Sequence, residues 1–173
     1  MPDPGTASTG WPGLRPAAAV ALLTVIADQS SKWVILAHVM DPPRVVDVTP
    51  FFNLTLGFNR GVSFGLLGDG AAGPWLLSSL ALAIVALLGV WASRTTSRAE
   101  SGALGAVIGG AVGNVVDRVR QGAVTDFLDL HAFGWHWPTF NVADIGITGG
   151  VAMLLLHGWR HGRRTPEPPQ PSR

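Results

Sequence analysis

The chain has 173 residues, 47% of them hydrophobic and 13% charged, with a formal net charge of +1 and a mean hydropathy of +0.33. That balance is too apolar for an ordinary soluble domain and makes a bilayer the expected solvent; the small net charge, with no continuous basic stripe, argues against a nucleic-acid partner. There is no cysteine, so disulfides, thiolate nucleophiles and zinc–thiolate sites are excluded and any chemistry falls to oxygen and nitrogen groups.

Four apolar segments, at 17–39, 72–92, 102–116 with a polar extension, and 142–159, approach the roughly 20 residues a helix needs to cross about 30 Å of hydrocarbon. They predict one four-helix membrane domain over 17–159. The tails at 1–16 and 160–173, rich in Pro, Gly and Ser, are expected to be disordered. The first segment reads as a retained helix and not a signal peptide, because Asp28, Gln29 and Lys32 interrupt its apolar run. Asp28 and Lys32 are four residues apart and stack on one helix face. Pairing offsets part of the about 2.5–3.5 kcal/mol that a charge costs near the bilayer centre, so this face must turn into the bundle.

Between the first two helices, "RVVDVTPFFNLTLGFNRG" over 44–61 carries β-branched and aromatic residues bounded by Pro and Gly. It predicts one or two strands at the membrane surface, whose free edge suits an extended peptide; a loop packed on the helix ends is the plainer alternative. In the third segment Gly105, Gly109 and Gly113 recur every four residues, a stripe that lets a neighbouring helix approach closely. Asn114 lies one helical turn before Asp117 and Arg118, and the two ions are read as a self-neutralising pair at the interface.

Asp126 and Asp144 have no basic residue at helical pairing distance within their own segments. Asp144 falls in the first turn of the fourth helix, with Asn141 as its N-cap; Asp126 falls in the loop after the third helix. If the chain brings them together they share one proton and titrate as a pair, the arrangement by which aspartic proteases activate water. The dipole at the N-terminus of the fourth helix favours an anion at Asp144, which leaves the shared proton on Asp126.

The basic residues split unequally between the two sides implied by four crossings. Arg15, Arg94, Arg98, Arg160, Arg163, Arg164 and Arg173 fall on one, and Arg44, Arg60, Arg118 and Arg120 on the other. The bias places both termini in the cytoplasm and the loops 41–71 and 118–141 outside. Other chemistries fit less well. Ser31 and Lys32 are adjacent on a helix and diverge by about 100°, and His131 and His136 form no metal motif. A proton-coupled transporter using Asp28, Asp117, Asp126 and Asp144 as a relay remains an alternative, although most of these acids gather at one surface. A structural scaffold would leave the outer acids without a reason.

Four motifs in order, "DQSSK" (28–32), "NRGVSF" (59–64), "GNVVDRVRQGAVTDF" (113–127) and "FNVAD" (140–144), resemble the lipoprotein signal peptidases of bacterial membranes, also called type II signal peptidases. The resemblance spans about two-thirds of the chain. It implies an all-α membrane protein of four transmembrane helices with a small extracytoplasmic β-cradle and a mobile surface helix. The implied activity is an aspartic endopeptidase that removes the signal peptide from prolipoproteins just before a diacylglyceryl-modified cysteine. The implied dyad is Asp126 with Asp144, with Asp28, Lys32, Asn59, Gly61, Asn114, Asp117, Arg118 and Asn141 shaping or bracing the site. Neither a metal nor a cofactor is expected, and the partners implied are lipid-modified prolipoproteins and membrane lipids, with the enzyme a monomer. Arg60, Val62 and Ser63 depart from the small residues more usual beside the motif asparagine.

Overall fold

The computed structural model describes residues 11–61 and 72–162. Helix α1 (Leu14–Val34) ends in a wider π turn at Ile35–Val39 and is followed by strands β1 (Val46–Thr49) and β2 (Phe52–Asn59). Next come α2 (Ala72–Arg94), α3 (Arg98–Gln121), β3 (Val124–Ala132), the short β4 (Trp135–His136) and α4 (Val142–Gly162). All four helices are long and apolar enough to cross a membrane. Two boundaries differ from expectation: α1 starts inside the segment expected to be a disordered tail, and α4 continues to Gly162. Pro16 sits in the first turn of α1, where its missing N–H has no helical partner to lose. Residues 1–10 and 163–173, the remainder of the expected tails, lie outside the described residues, as do Val62, Ser63 and Phe64 of the second motif. The surface helix implied by the family resemblance is not among the elements of the described residues.

Helix α3 is the central one: 56% of its apolar window is buried in the protein, against 17% or less for the other three. Its start is set by Ser97, whose hydroxyl accepts the Glu100 N–H at 3.3 Å, and its end by Gly122 at φ +75°. The predicted glycine stripe is where neighbouring backbones come in. A Cβ on Gly105 would lie 2.4 Å from the Ala17 carbonyl oxygen and one on Gly109 2.5 Å from that of Ala21, so both face α1. Gly110 meets α4 in the same way, 2.3 Å from the Ala143 oxygen.

The strands form one antiparallel sheet in the order β1-β2-β3-β4 at the end of the bundle where α1 and α3 finish and α2 and α4 begin. An all-α description is therefore too narrow, and Asp126, expected in a loop, lies on β3. Strand β3 is buried from Val124 to Phe127 without alternation, and its two aspartates hide the apolar signal that marks β2. Ile35 and Met40 at the end of α1 pack with Phe127 in a small core beneath the sheet, joined by Val46, Leu54, Leu128 and Val142. Exposed tryptophans collect at both ends of the helices, Trp33 and Trp75 toward the sheet and Trp11, Trp91 and Trp159 at the far end, as interfacial aromatic belts do.

Candidate active site

The site is assembled where α1, α3, β3 and the start of α4 meet. Asp28 is fully buried. Its Oδ2 accepts the Lys32 ammonium at 2.8 Å, the predicted i, i+4 pair, while its Oδ1 accepts the Ala143 backbone N–H at 2.9 Å. One carboxylate on α1 thus caps the free N–H groups at the start of α4. Gly113 makes room for it, since a Cβ there would lie 2.6 Å from Asp28 Oδ2.

The predicted Asp117–Arg118 pair is not formed. Neighbours on a helix point about 100° apart, and Asp117 turns to α1 and β3. Its Oδ2 lies 2.9 Å from Lys32 Nζ and accepts the Thr125 N–H at 3.0 Å, and its Oδ1 accepts the Gln29 amide at 2.9 Å. Lys32 therefore bridges two buried carboxylates, and Asp117 pins the strand one residue before Asp126. Arg118 turns the other way: Nη1 reaches the Asn114 carbonyl at 3.5 Å, the guanidinium lies in the field of Asp144, Asp126 and Asp117, and Nε is buried with no hydrogen-bond partner among the described residues. Gln29 and the Thr125 and Ala143 backbone N–H groups were not singled out in the sequence; Gln29 registered only as a polar interruption of an apolar helix.

Asn141 and Asn114 hold the two isolated aspartates. The Asn141 side-chain carbonyl accepts the Asp144 N–H at 3.0 Å and Asp144 Oδ2 accepts the Asn141 N–H at 3.2 Å, a reciprocal cap of the kind expected at a helix start. The Asn141 amide donates to Asp126 Oδ1 at 2.6 Å and to Asn114 Oδ1 at 3.3 Å. The Asn114 amide donates to Asp144 Oδ1 at 2.9 Å, and its oxygen also accepts Lys32 at 3.3 Å. Asp126 and Asp144, eighteen positions apart in the chain, are thus tied into one network through a shared asparagine.

Asp126 is only 2% exposed, and burial pushes its carboxyl above the usual range. Hydrogen bonds from Asn59 and Asn141 oppose that rise, the negative charge of Asp144 adds to it and Lys32 opposes it. A cleft lined by Gly57, Asn59, Gly61, Asp126, Pro138 and Thr139 opens onto this carboxyl. Asn59 Oδ1 accepts the Gly61 N–H at 2.8 Å, and Gly61 takes φ +76°, so the motif glycine serves a left-handed turn that a side chain would strain. Every expected site residue is thus found in or against this network, Asp117 through Lys32 and Thr125 and Arg118 beside Asn114; only the expected pairing of Asp117 with Arg118 is absent.

Four membrane-length helices capped by a small sheet, with a buried carboxylate network opening onto a cleft lined by the sheet and its loops, define a multi-pass membrane protein whose polar site sits at one end of the bundle. The family model described as signal peptidase (SPase) II matches residues 20–160. The lipoprotein signal peptidase of Methylobacterium sp. (strain 4-46) is 47% identical over 148 residues, covering 84% of this chain and 90% of that protein. That of Azoarcus sp. (strain BH72) is 43% identical over 149 residues, 84% of each. A bacterial membrane enzyme solved by the in meso method at 2.3 Å superposes with a TM-score of 0.72 at 27% identity, covering 89% of this chain and 94% of that one. A second, solved at 1.9 Å, gives 0.70 at 30% identity over 82% and 90%. The chain belongs to the signal peptidase II family.

Proposed function

We propose that this signal peptidase is an aspartic endopeptidase that cuts lipid-modified prolipoproteins immediately before the diacylglyceryl-cysteine, with Asp126 and Asp144 as the catalytic pair. The observation that carries the reading is the shared clamp of Asn141, bonded to Asp126 at 2.6 Å and to Asp144 at 3.0 and 3.2 Å. Among the described residues neither of these carboxylates forms an ion pair, whereas Asp28 and Asp117 are each held by Lys32.

Asp126, whose buried carboxyl favours its proton, is the acid, and Asp144 is the base. Asp144 takes a proton from a water molecule as its oxygen adds to the scissile carbonyl carbon, while Asp126 gives its proton to the carbonyl oxygen. The tetrahedral intermediate then collapses. Asp144 passes its new proton to the leaving amine, the C–N bond breaks, and Asp126 recovers a proton from the intermediate's hydroxyl. Asp28, Lys32, Asn59, Gly61, Asn114, Asp117, Arg118 and Asn141 are supporting residues that position this pair or line its cleft.

The seven-to-four excess of Arg on the side of the termini supports cytoplasmic ends and a site at the outer face, the depth at which a lipid-anchored substrate presents its scissile bond. The enzyme acts as a monomer, with lipids around its helices. Incubation of the purified protein in lipid with a diacylglyceryl-modified precursor tests the reading: a shortened lipoprotein with the lipidated cysteine at its new N-terminus is expected. Cleavage elsewhere, or equal cleavage of the unlipidated precursor, overturns it.

A further inference from the structure

The outer half of the sheet has two unlike faces. On one, Asp47, Asn53 and Asp129 stand directly opposite one another across β1, β2 and β3. His131 pairs with His136 beside them, and His136 Nδ1 lies 2.8 Å from Asp129. On the other face the cross-strand row Val46, Leu54 and Leu128 rests on Ile35 and Met40 at the end of the first transmembrane helix. Side chains alternate along a strand, so Leu130 and Ala132 continue that second face past the edge of the bundle. With them come Phe52, opposite Leu130, and Trp135, opposite Ala132.

Beyond the bundle none of the described residues covers this apolar face, and Leu130 and Trp135 stay exposed. Phe51, Leu130, Ala132, Trp135 and Trp137 line one shallow recess together with His131. Phe51, Trp135 and Trp137 are 56–61% exposed, and the two indoles meet edge to face at 5.7 Å. The tip of the hairpin is Phe133, 109% exposed, held outward by a left-handed turn with φ +52° at Phe133 and +79° at Gly134. A contiguous apolar patch of this kind marks an interaction surface. Its chemistry is that of the headgroup boundary, where indole rings place an apolar body in the acyl region and an N–H among polar groups.

We propose that the β3–β4 hairpin, with Phe133 at its tip and Trp135, Trp137 and Phe51 behind it, is an interfacial anchor that dips into the lipid leaflet on the sheet side of the bundle. The occupant is lipid because the face is continuous with the one lying on the end of a membrane-spanning helix and points the same way. The opposite face carries the charges. Three residues separate Trp137 from Asn141, so the anchor and the clamp on Asp126 belong to one short segment.

The full chain contains no cysteine, so Phe133→Cys and, on the polar face, Asp47→Cys can each be labelled singly with an environment-sensitive fluorophore in phosphatidylcholine–phosphatidylglycerol nanodiscs. Both positions are exposed and neither substitution opens a core. Lipids carrying a doxyl group near the headgroup end of the acyl chain should quench the label at 133 several-fold more than the label at 47, and aqueous iodide should show the reverse order. Equal quenching at the two positions overturns the proposal. So does protection of position 133 that appears only with added precursor, which assigns the patch to substrate, or only when two chains share a disc, which assigns it to a second copy. None of these readings depends on catalysis.

Discussion

Asn141 donates its side-chain amide to Asp126 Oδ1 at 2.6 Å while its side-chain oxygen caps the helix that carries Asp144. One residue thus couples the start of α4 to the position of a carboxylate on β3, and the two duties can be separated. Asn141→Ala removes both, and loss of the cap lowers stability by about 1–2 kcal/mol. Asn141→Ser keeps a capping oxygen but is too short to reach Asp126, so it should be more stable than the alanine variant. Both should lose cleavage, on the order of 10²-fold for a misplaced catalytic group. Thermal melts beside turnover of a lipidated precursor read the two effects; a serine variant with wild-type turnover removes the clamp from the mechanism.

Asp126→Asn and Asp144→Asn keep the shape of each side chain and still offer an oxygen to Asn141 and Asn114. Neither amide can cycle a proton, so cleavage should fall by at least about 10²–10⁴-fold, the usual contribution of a general acid or base. The variants should remain folded and membrane-inserted by gel filtration in detergent. Substantial turnover by either one takes that residue out of the catalytic role.

Lys32 faces Asp28 at 2.8 Å and Asp117 at 2.9 Å, all three buried. Removing the ammonium strands two carboxylates, whereas removing one carboxylate leaves Lys32 paired with the other. Lys32→Met should therefore be the more damaging, at or above the about 3–5 kcal/mol typical of breaking a buried pair, with Asp117→Asn below it. Asp117→Asn also weakens the hold on the Thr125 N–H, so part of its effect should appear as slower cleavage, less severe than for the dyad variants. An Asp117→Asn protein with wild-type stability and no cleavage contradicts this ranking.

The helices, the glycine stripe, the Asp28–Lys32 pair and the Asn141 cap were legible because each depends on residues within one or two turns of one another. What sequence spacing did not show was cross-element pairing. Asp117 and Arg118 are adjacent, and their apparent complementarity hid the partners that Asp117 finds on α1 and β3. Strand β3 was missed for a related reason: its burial comes from α3, β2 and the returning 137–141 segment, not from an alternating pattern of its own. The capping pair Ser97 and Glu100 was readable and would have moved the start of α3 back from residue 102.

The glycines give a graded test of how closely the helices pack. Gly110→Ala places a methyl group 2.3 Å from a backbone oxygen of α4, which cannot swing aside, whereas Gly102→Ala meets nothing within 4 Å. The first should cost at least the about 1–3 kcal/mol of an overpacked core. The second should be neutral or slightly stabilising, since alanine is the better helix former by roughly 1 kcal/mol. Detergent melting temperatures that fall equally for both argue against close approach of α3 and α4.

The raised carboxyl of Asp126 makes opposite demands on stability and on rate. Burial is the main cause, with the charge of Asp144 adding to it against the hydrogen bonds from Asn59 and Asn141. Below about pH 4, the ordinary aspartate value, the group is protonated folded or unfolded and its burial carries no ionisation penalty. As pH rises from there through the higher folded-state value, the unfolded chain loses the proton first and this part of the stability is lost. Asp126→Asn, which never ionises, should melt above the wild type at neutral pH, with the difference shrinking as pH falls toward about 4. Cleavage by the wild type should instead follow a bell, because a doubly protonated pair has no base and a doubly ionised pair has no acid. The descending limb reports loss of the proton that Asp126 carries. A rate that climbs to a plateau at high pH, with no descending limb, is incompatible with a one-proton pair. A neutron structure placing that proton on Asp144 would reverse the two roles within the same chemistry.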